Sequence, residues 1–522
     1  MAYVCVPIFV KSTDQARADM ARAAELGADL IELRVDAVPD VATVIDLLKV
    51  APRPCIVTRR RVDEGGQCVD DDATRVAFAR QISASGLAAY VDVELATLVQ
   101  VGGGPLIDGD RQTRAGVIVS SHDFAGRPAK LNQLLTELHH QPGEVSKLVI
   151  TARTVRDNAE MFELLVSAPR PMIALAMGEA GLMSRVLAGK FGAMLTFAAL
   201  DKQSGTAPGQ VTADELLGMY RFRDITPATK VYGVVGSPVG HSMSPAIHNS
   251  AFEEVGWDGV YLPMLVEGGY ESFKAFMETY LHLSSLHLSG LSVTIPHKEN
   301  ALRYLLEKGG EVDPLAQSIG ALNTIDIRFE GAEVKLRGFS TDYSAILDCI
   351  CAAGGHGREK LAGRRVAVLG AGGTGRTAVA ALAHYGATVV IYNRTAEKAA
   401  ALAEEFNGKR GQVVSAAWGK LSACCCDTII NTTSVGMIPN TDASPLDDTG
   451  LALSKDHLVF DAIYNPAETK LVRGARAAGA RVVTGVEMFL RQAVGQFECW
   501  TRSPAPVELM RRVVEKRLGL RE

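Results

Sequence analysis

Across residues 1–220 short apolar runs alternate with amphipathic stretches, and this beat constrains the fold more than any other feature of the chain. The apolar runs fall at 4–10 ("VCVPIFV"), 30–35 ("LIELRV"), 55–59 ("CIVTR"), 89–94 ("AYVDVE"), 116–121 ("GVIVSS"), 147–152 ("KLVITA"), 172–177 ("MIALAM") and 193–198 ("AMLTFA"). Stretches such as "DQARADMARAAELG" and "DATRVAFARQISASG" carry helical periodicity between them. Strands separated by crossover helices run parallel, and eight such repeats predict a closed (β/α)8 barrel, the TIM-barrel architecture. In that fold reacting groups gather at the C-terminal ends of the strands. Glu32 and Arg34 stand late in the second run, Arg60 follows the third and His122 follows the fifth. Lys147 is the exception, because it opens the sixth. An isolated lysine there ordinarily frays into water. Pointed inward instead, it would be a desolvated amine able to attack a carbonyl.

Composition narrows the function classes. Of 522 residues, 47% are hydrophobic and 22% charged, as in folded proteins with two to four domains. A net charge of −5 gives no electrostatic reason to bind nucleic acid or an anionic membrane. No apolar stretch approaches the roughly 20 residues that a membrane span requires. The opening "MAYVCVPIFV" carries no basic leader, so a cytoplasmic location is expected. Nine cysteines include the run Cys424-Cys425-Cys426 and the near pair Cys349 and Cys351. That spacing suits neither a disulfide framework nor zinc ligation, so reduced thiols and no metal site are expected.

A polar linker, "RFRDITPATK" (221–230), marks a domain boundary, and a new alternation begins at "VYGVVG". Further on, "VAVLGAGGTGRTAVAAL" places Gly370, Gly372 and Gly375 in GxGxxG spacing between a strand and a helix, with Ala371, Gly373 and Thr374 between them. Such glycines let a backbone approach a pyrophosphate seated on a helix N-terminus. The next strand ends in Asn393, Arg394 and Thr395, where an acidic residue would bind the ribose hydroxyls of NAD. A guanidinium with polar donors favours the 2′-phosphate of NADP(H) instead. The competing reading is a structural glycine turn beside a surface arginine.

Between these blocks lies a polar set. Ser242 and Ser244 sit in "GSPVGHSMSPAIHN", Thr294 and Lys298 in "SVTIPHK", Asn323 in "GALNT" and Asp342 in "GFSTDYS". The serines could equally be helix caps. Together the set suits a sugar-like acid and the transfer of one proton.

Those stretches, with "NRT", "NTTSVGM", "DAIYNP" and "GVEMFLRQ", follow one another in the order found in shikimate dehydrogenases, which residues 230–520 therefore resemble. The resemblance implies Lys298 and Asp342 as the catalytic pair in NADPH-dependent reduction of 3-dehydroshikimate. It implies Ser242, Ser244, Thr294, Asn323, Tyr464 and Gln492 as holders of the substrate, and Asn431, Thr432, Ile463 and Gly485 along the nicotinamide. Ser292 and Tyr343 depart from single-domain members, which often have asparagine and glycine there, and both departures look like those of the plant-type fused enzymes.

The first half in turn resembles type I 3-dehydroquinate dehydratases, through "DLIELRVD", "VTRRRVDEGG", "SSHDF", "SKLVITA", "MGEAGLMSRVLAGKFG" and "TAPGQ". This implies a Schiff base on Lys147, in surroundings of apolar groups and arginines, with His122 as proton carrier oriented by Glu64. Arg185, with Arg34 and Arg60, would hold the carboxylate and polar face; Glu32, Thr206 and Gln210 would bind hydroxyls. Thr206 stands where a serine is usual. The layout implied is a barrel (1–222), a substrate-binding lobe (230–340) joined by C-terminal helices (486–522), and a Rossmann domain for NADP(H) (341–485). Small-molecule substrates are the expected partners; the oligomeric state is not legible. Two alternatives stand: an oxidoreductase directed at quinate, and a regulatory homologue without catalysis, which should have lost some of Lys147, His122, Lys298 and Asp342.

Overall fold

The computed structural model describes residues 2–38, 40–102, 113–205, 207, 209–331, 333–408 and 410–521. The chain divides into two compact units, Met1–Pro245 with Asp258–Leu288, and Ala246–Trp257 with Ser289–Glu522.

The first unit holds eight parallel strands: β1 (Tyr3–Phe9), β2 (Leu30–Arg34), β3 (Cys55–Thr58), β4 (Tyr90–Glu94), β5 (Gly116–Asp123), β6 (Val145–Thr151), β7 (Met172–Met177) and β8 (Leu195–Phe197). They pair in the order β7-β6-β5-β4-β3-β2-β1-β8. At the seam the Met194 N–H donates to the Met172 carbonyl at 2.9 Å. The alternation in sequence is thus realised as a barrel. Its helices form where caps and apolar spacing agree. Thr13–Glu25 starts at Ser12, whose hydroxyl accepts from the Gln15 N–H, and buries Ala16, Met20 and Ala23 along one stripe.

Apolar side chains, among them Leu30, Ile56, Ile118, Val145, Ile173 and Leu195, fill the barrel near the strands' N-terminal ends. The polar side chains stand above them. Lys147, third in its strand, pairs in register with Ser120, fifth in β5. Strand tilt and stagger in a closed barrel therefore lift a residue early in β6 to the level of residues late in β5. That removes the apparent misplacement of Lys147. His122 lies within β5 rather than after it.

Beyond the barrel the linker is docked. The buried Lys190 ammonium donates to the Pro227 carbonyl at 2.6 Å and the Thr229 carbonyl at 2.9 Å, and burial pushes its pKa down to about 8. Two strands, β9 (Lys230–Gly236) and β10 (Gly259–Leu265), pair in parallel.

In the second unit β11 (Leu288–Val293), β12 (Glu311–Val312), β13 (Thr324–Glu330) and β14 (Glu333–Phe339) form a mixed sheet, with β13 antiparallel to both β11 and β14. Then come β15 (Arg365–Leu369), β16 (Thr388–Tyr392), β17 (Gln412–Ala416), β18 (Thr428–Asn431), β19 (Leu458–Asp461) and β20 (Arg481–Val483). They are all parallel, in the order β17-β16-β15-β18-β19-β20. This is the doubly wound arrangement whose ligand crevice opens where the order reverses, between β15 and β18. No described helix is long and apolar enough to cross a membrane.

Candidate active sites

A cavity of about 500 Å³ in the barrel gathers Glu32, Arg34, Arg60, Glu64, His122, Lys147, Arg185 and Gln210. Eight of the nine barrel residues singled out from sequence therefore meet; the ninth, Thr206, lies outside the described residues.

Lys147 is 4% exposed, so the solvent-frayed reading is excluded. The apolar groups and arginines expected share its cavity, but its nearest polar neighbours are two carboxylates that were not expected. Nζ donates to Asp92 Oδ2 at 2.9 Å, lies 3.7 Å from Glu32 Oε1, and sits 4.6 Å from the centre of the Phe197 ring. Two carboxylates flank the nitrogen because a buried cation is tolerated only when paired.

Asp92 is the residue that sequence reasoning missed. Burial pushes its carboxyl up, but Arg60 and Lys147 outweigh that and hold it well below the usual carboxylate range. The signal lay in "AYVDVE": acids at alternate positions of an apolar strand, Asp92 and Glu94, must share one face, and in a barrel that face is the interior. Arg60 lines the cavity and is also tied to these groups. It donates to Ser120 Oγ at 2.7 Å and Asp92 Oδ1 at 2.8 Å, and pairs with Glu94 at 3.1 Å. Arg34 is likewise engaged, with Asp36 at 2.8 Å. Arg185 differs. It is 2% exposed, Nε has no hydrogen-bond partner among the described residues, and burial pushes it down to about 10. A buried guanidinium nitrogen without a partner on a cavity wall suits an anion.

His122 Nδ1 lies 2.9 Å from Glu64 Oε2, which also accepts the His122 backbone N–H at 3.0 Å. Burial, with Arg60 and Lys147 nearby, pushes the imidazole well below its ordinary value, so the ring is neutral at pH 7. Burial raises Glu64 to about 7 against the pull of Arg60. This sets a pH dependence. Ionised Glu64 accepts from Nδ1–H and leaves Nε2 open as a base. Once protonated, Glu64 becomes the donor to Nδ1, and the ring proton then occupies Nε2. Turnover in the barrel should therefore fall as pH drops through about 7. The pH profile of kcat/KM for Glu64→Gln should lack that limb, the overall rate being lower; a limb that survives the substitution would assign it elsewhere.

In the second unit Lys298 Nζ donates to Asp342 Oδ2 at 2.5 Å. The lysine opens the helix Lys298–Glu307 and the aspartate sits in the first turn of Thr341–Gly354. Asn323 binds both the Thr341 hydroxyl (3.0 Å) and Gln492 Oε1 (3.3 Å), and its carbonyl accepts from the Val293 N–H beside Thr294. Ser292 is structural: its buried hydroxyl donates to Gln496 Oε1 at 2.8 Å. Tyr343 OH reaches Asp313 Oδ1 at 3.4 Å. In the first unit the capping reading of the serine loop is realised in part, since Ser242 Oγ accepts from the Ser244 N–H at 3.2 Å.

The glycine turn fits a dinucleotide. Gly370 has φ +107°, and a Cβ on Gly375 would meet the Gly370 carbonyl oxygen at 2.4 Å. Gly372 and Gly373 face open space ahead of the helix Gly373–His384, leaving backbone free to take phosphate with Thr374 in the first turn. Arg394 and Thr395 are exposed at the end of β16, whereas Asn393 shapes the turn by accepting from the Ala371 N–H at 3.2 Å. Thr432 Oγ1 donates to the Leu369 carbonyl across the crevice. Asn431 is a correction: it is fully buried and its amide donates to Asp461 at 3.0 Å, so it supports the crevice without lining it. Gly485 is required for close packing, because a Cβ would lie 2.4 Å from the Ile463 carbonyl. Tyr464 is 39% exposed and stacks on Phe489.

Comparisons with known proteins place each part of the chain beside a family. Residues 4–227 match the family described as type I 3-dehydroquinase, and 234–325 the shikimate dehydrogenase substrate binding domain. Residues 355–438 match shikimate / quinate 5-dehydrogenase, and 485–515 the shikimate 5′-dehydrogenase C-terminal domain. The chloroplastic bifunctional 3-dehydroquinate dehydratase/shikimate dehydrogenase of Arabidopsis thaliana is 41% identical over 98% of this chain and 84% of its own. A shikimate dehydrogenase (NADP(+)) of Methanocella arvoryzae is 40% identical, over 54% of this chain and 97% of its own. Among solved structures, the Thermus thermophilus shikimate 5-dehydrogenase in complex with NADP(H) and shikimate aligns with a TM-score of 0.47 at 33% identity, over 56% of this chain and 100% of its own.

Proposed function

The chain belongs to the family of bifunctional 3-dehydroquinate dehydratase/shikimate dehydrogenases, and on that premise we propose which of its residues carry each step. It is a lyase and an NADP-dependent oxidoreductase acting in sequence, in the shikimate pathway.

The observation that carries the barrel assignment is the burial of Lys147 in one cavity with His122 and an unpaired Arg185. Arg185 takes the carboxylate of 3-dehydroquinate. The Lys147 amine adds to the C3 ketone and water leaves, forming an iminium that Asp92 and Glu32 stabilise as a cation. His122 Nε2 removes the C2 proton that the iminium has acidified, then delivers it to the departing C1 hydroxyl, which leaves as water. Hydrolysis of the iminium releases 3-dehydroshikimate and restores the amine.

In the second half Lys298, oriented by Asp342, gives a proton to the carbonyl oxygen of 3-dehydroshikimate. The nicotinamide, when bound, supplies the hydride. Ser242, Ser244, Thr294, Asn323, Tyr464 and Gln492 hold the carboxylate and hydroxyls. The glycine turn takes the pyrophosphate and Arg394 with Thr395 the 2′-phosphate. The paired serines and Thr294 support shikimate over quinate, and steady-state rates on both acids separate the two. All four chemical groups whose loss would mark a regulatory homologue are present, and they stand in hydrogen-bonded contacts. The functional division proposed is 1–222, 230–340 with 486–522, and 341–485. The nine cysteines are all free thiols, which suits a reducing compartment; the cytoplasm is the one proposed.

The test is one cuvette. Supplied with 3-dehydroquinate alone, the protein should consume NADPH, and NADH about 10- to 100-fold less efficiently, the worth of one or two charge-assisted hydrogen bonds. Consumption only after 3-dehydroshikimate is added would remove the barrel assignment.

A further inference from the structure

Arg185 is the barrel's only described cation in that cavity whose guanidinium carries an unpartnered buried nitrogen, so what aims it matters. It lies in the short helix Leu182–Val186, which begins directly after the turn Glu179–Gly181. The fully buried Asn158 ties both pieces down. Its Nδ2 donates to the Ala180 carbonyl at 2.7 Å and the Val155 carbonyl at 2.5 Å, and its Oδ1 accepts from the Ser184 N–H at 2.9 Å. Ser184 Oγ in turn donates to the Gly181 carbonyl at 2.8 Å and accepts from the Ala176 N–H at 2.9 Å, locking the helix to β7. Thr196 of β8 donates to the Arg185 carbonyl at 3.0 Å.

One link of this set comes from outside the barrel. Tyr280, fully buried in the helix Tyr270–His282 of the same compact unit, donates its hydroxyl to the Val155 carbonyl that Asn158 also uses. A second contact from beyond the barrel meets the turn itself: a Cβ on Gly240 would lie 2.8 Å from Glu179 Oε1. We infer that Asn158 and Tyr280 are positioning residues for Arg185, so that the barrel's hold on its substrate carboxylate depends on a side chain supplied by the segment fused to it. Neither residue lines the cavity. This rests on the reading of Arg185 as the carboxylate ligand of 3-dehydroquinate. A polar group with several buried hydrogen bonds fixes a loop in one arrangement, and a guanidinium displaced by a few tenths of an ångström loses linear bonds to a carboxylate.

The experiment uses the full chain, with dehydration of 3-dehydroquinate and reduction of 3-dehydroshikimate assayed separately. Arg185→Gln should raise KM for 3-dehydroquinate by about 10- to 100-fold, the scale of hydrogen bonds to a charged group. Tyr280→Phe, which removes one hydroxyl and little volume, should raise the same KM about three- to tenfold, with kcat within about twofold. Asn158→Ser should do so more strongly. Reduction of 3-dehydroshikimate should be unchanged in Tyr280→Phe, showing that the fold is intact. An unchanged KM in Arg185→Gln would overturn the ligand reading of Arg185. A raised KM in that variant with none in Tyr280→Phe would overturn the positioning role alone. A loss of both activities in Tyr280→Phe would also overturn it, since general loosening of the fold would then explain the effect.

Discussion

Lys147→Ala should lower dehydration of 3-dehydroquinate by at least about 10³-fold, the scale on which removal of a covalent nucleophile acts. No other residue of the cavity can take over. Among the described residues Lys147 is the single amine on its wall, and the arginines there are guanidinium ions that do not add to ketones. His122 would remain as a base, but without the iminium the C2 proton is not acidified. The substitution also removes a cation from between Asp92 and Glu32, leaving those carboxylates with Arg60 as their main compensation and lowering the stability of the barrel. Reduction of 3-dehydroshikimate by the same variant is the control for that loss. Trapping completes the test. Borohydride added to the wild-type protein with 3-dehydroquinate should leave the reduced adduct on the peptide that contains Lys147, and nothing on the variant. An adduct on another lysine would sink the assignment.

Lys298→Ala should lower kcat for the reduction of 3-dehydroshikimate by about 10²- to 10⁴-fold, the range for a positioned general acid. Asp342→Asn should act on the same step through the lysine it contacts at 2.5 Å. Because the two work as a unit, the double variant should be little worse than the poorer single one. Dehydration of 3-dehydroquinate should be unaffected in all three, which separates a chemical role from a structural one. Additive losses in the double variant would mean that lysine and aspartate act independently.

Much of the architecture was legible because it depends on local pattern. Eight apolar runs with helical stretches between them leave few options but parallel strands and crossover helices, and the observed strands agree to within a few residues. The glycine turn was legible because positive φ and close backbone approach demand glycine at Gly370 and Gly375, whatever lies elsewhere. His122 with Glu64, and Lys298 with Asp342, were legible as residue types in motifs.

What the linear order could not reveal is which groups face one another. Lys147 was expected among apolar groups and arginines, which do line its cavity, but it is also clasped by Asp92 and Glu32 from strands 55 and 115 positions earlier, pairs set by barrel closure and stagger. Arg60 was expected on the site and lines the cavity, but its ties to Ser120, Asp92 and Glu94 were not legible. Asn431 was expected on the crevice wall and is buried against Asp461. Asn158 and Tyr280 carry no motif, and only folding brings them to the turn that aims Arg185. Sequence by itself determined the elements, their order and the chemical inventory, since these follow from propensity, periodicity and residue type. Tertiary structure decided the partners, because hydrogen bonds and ion pairs between distant residues depend on register and closure, which no short window of sequence contains.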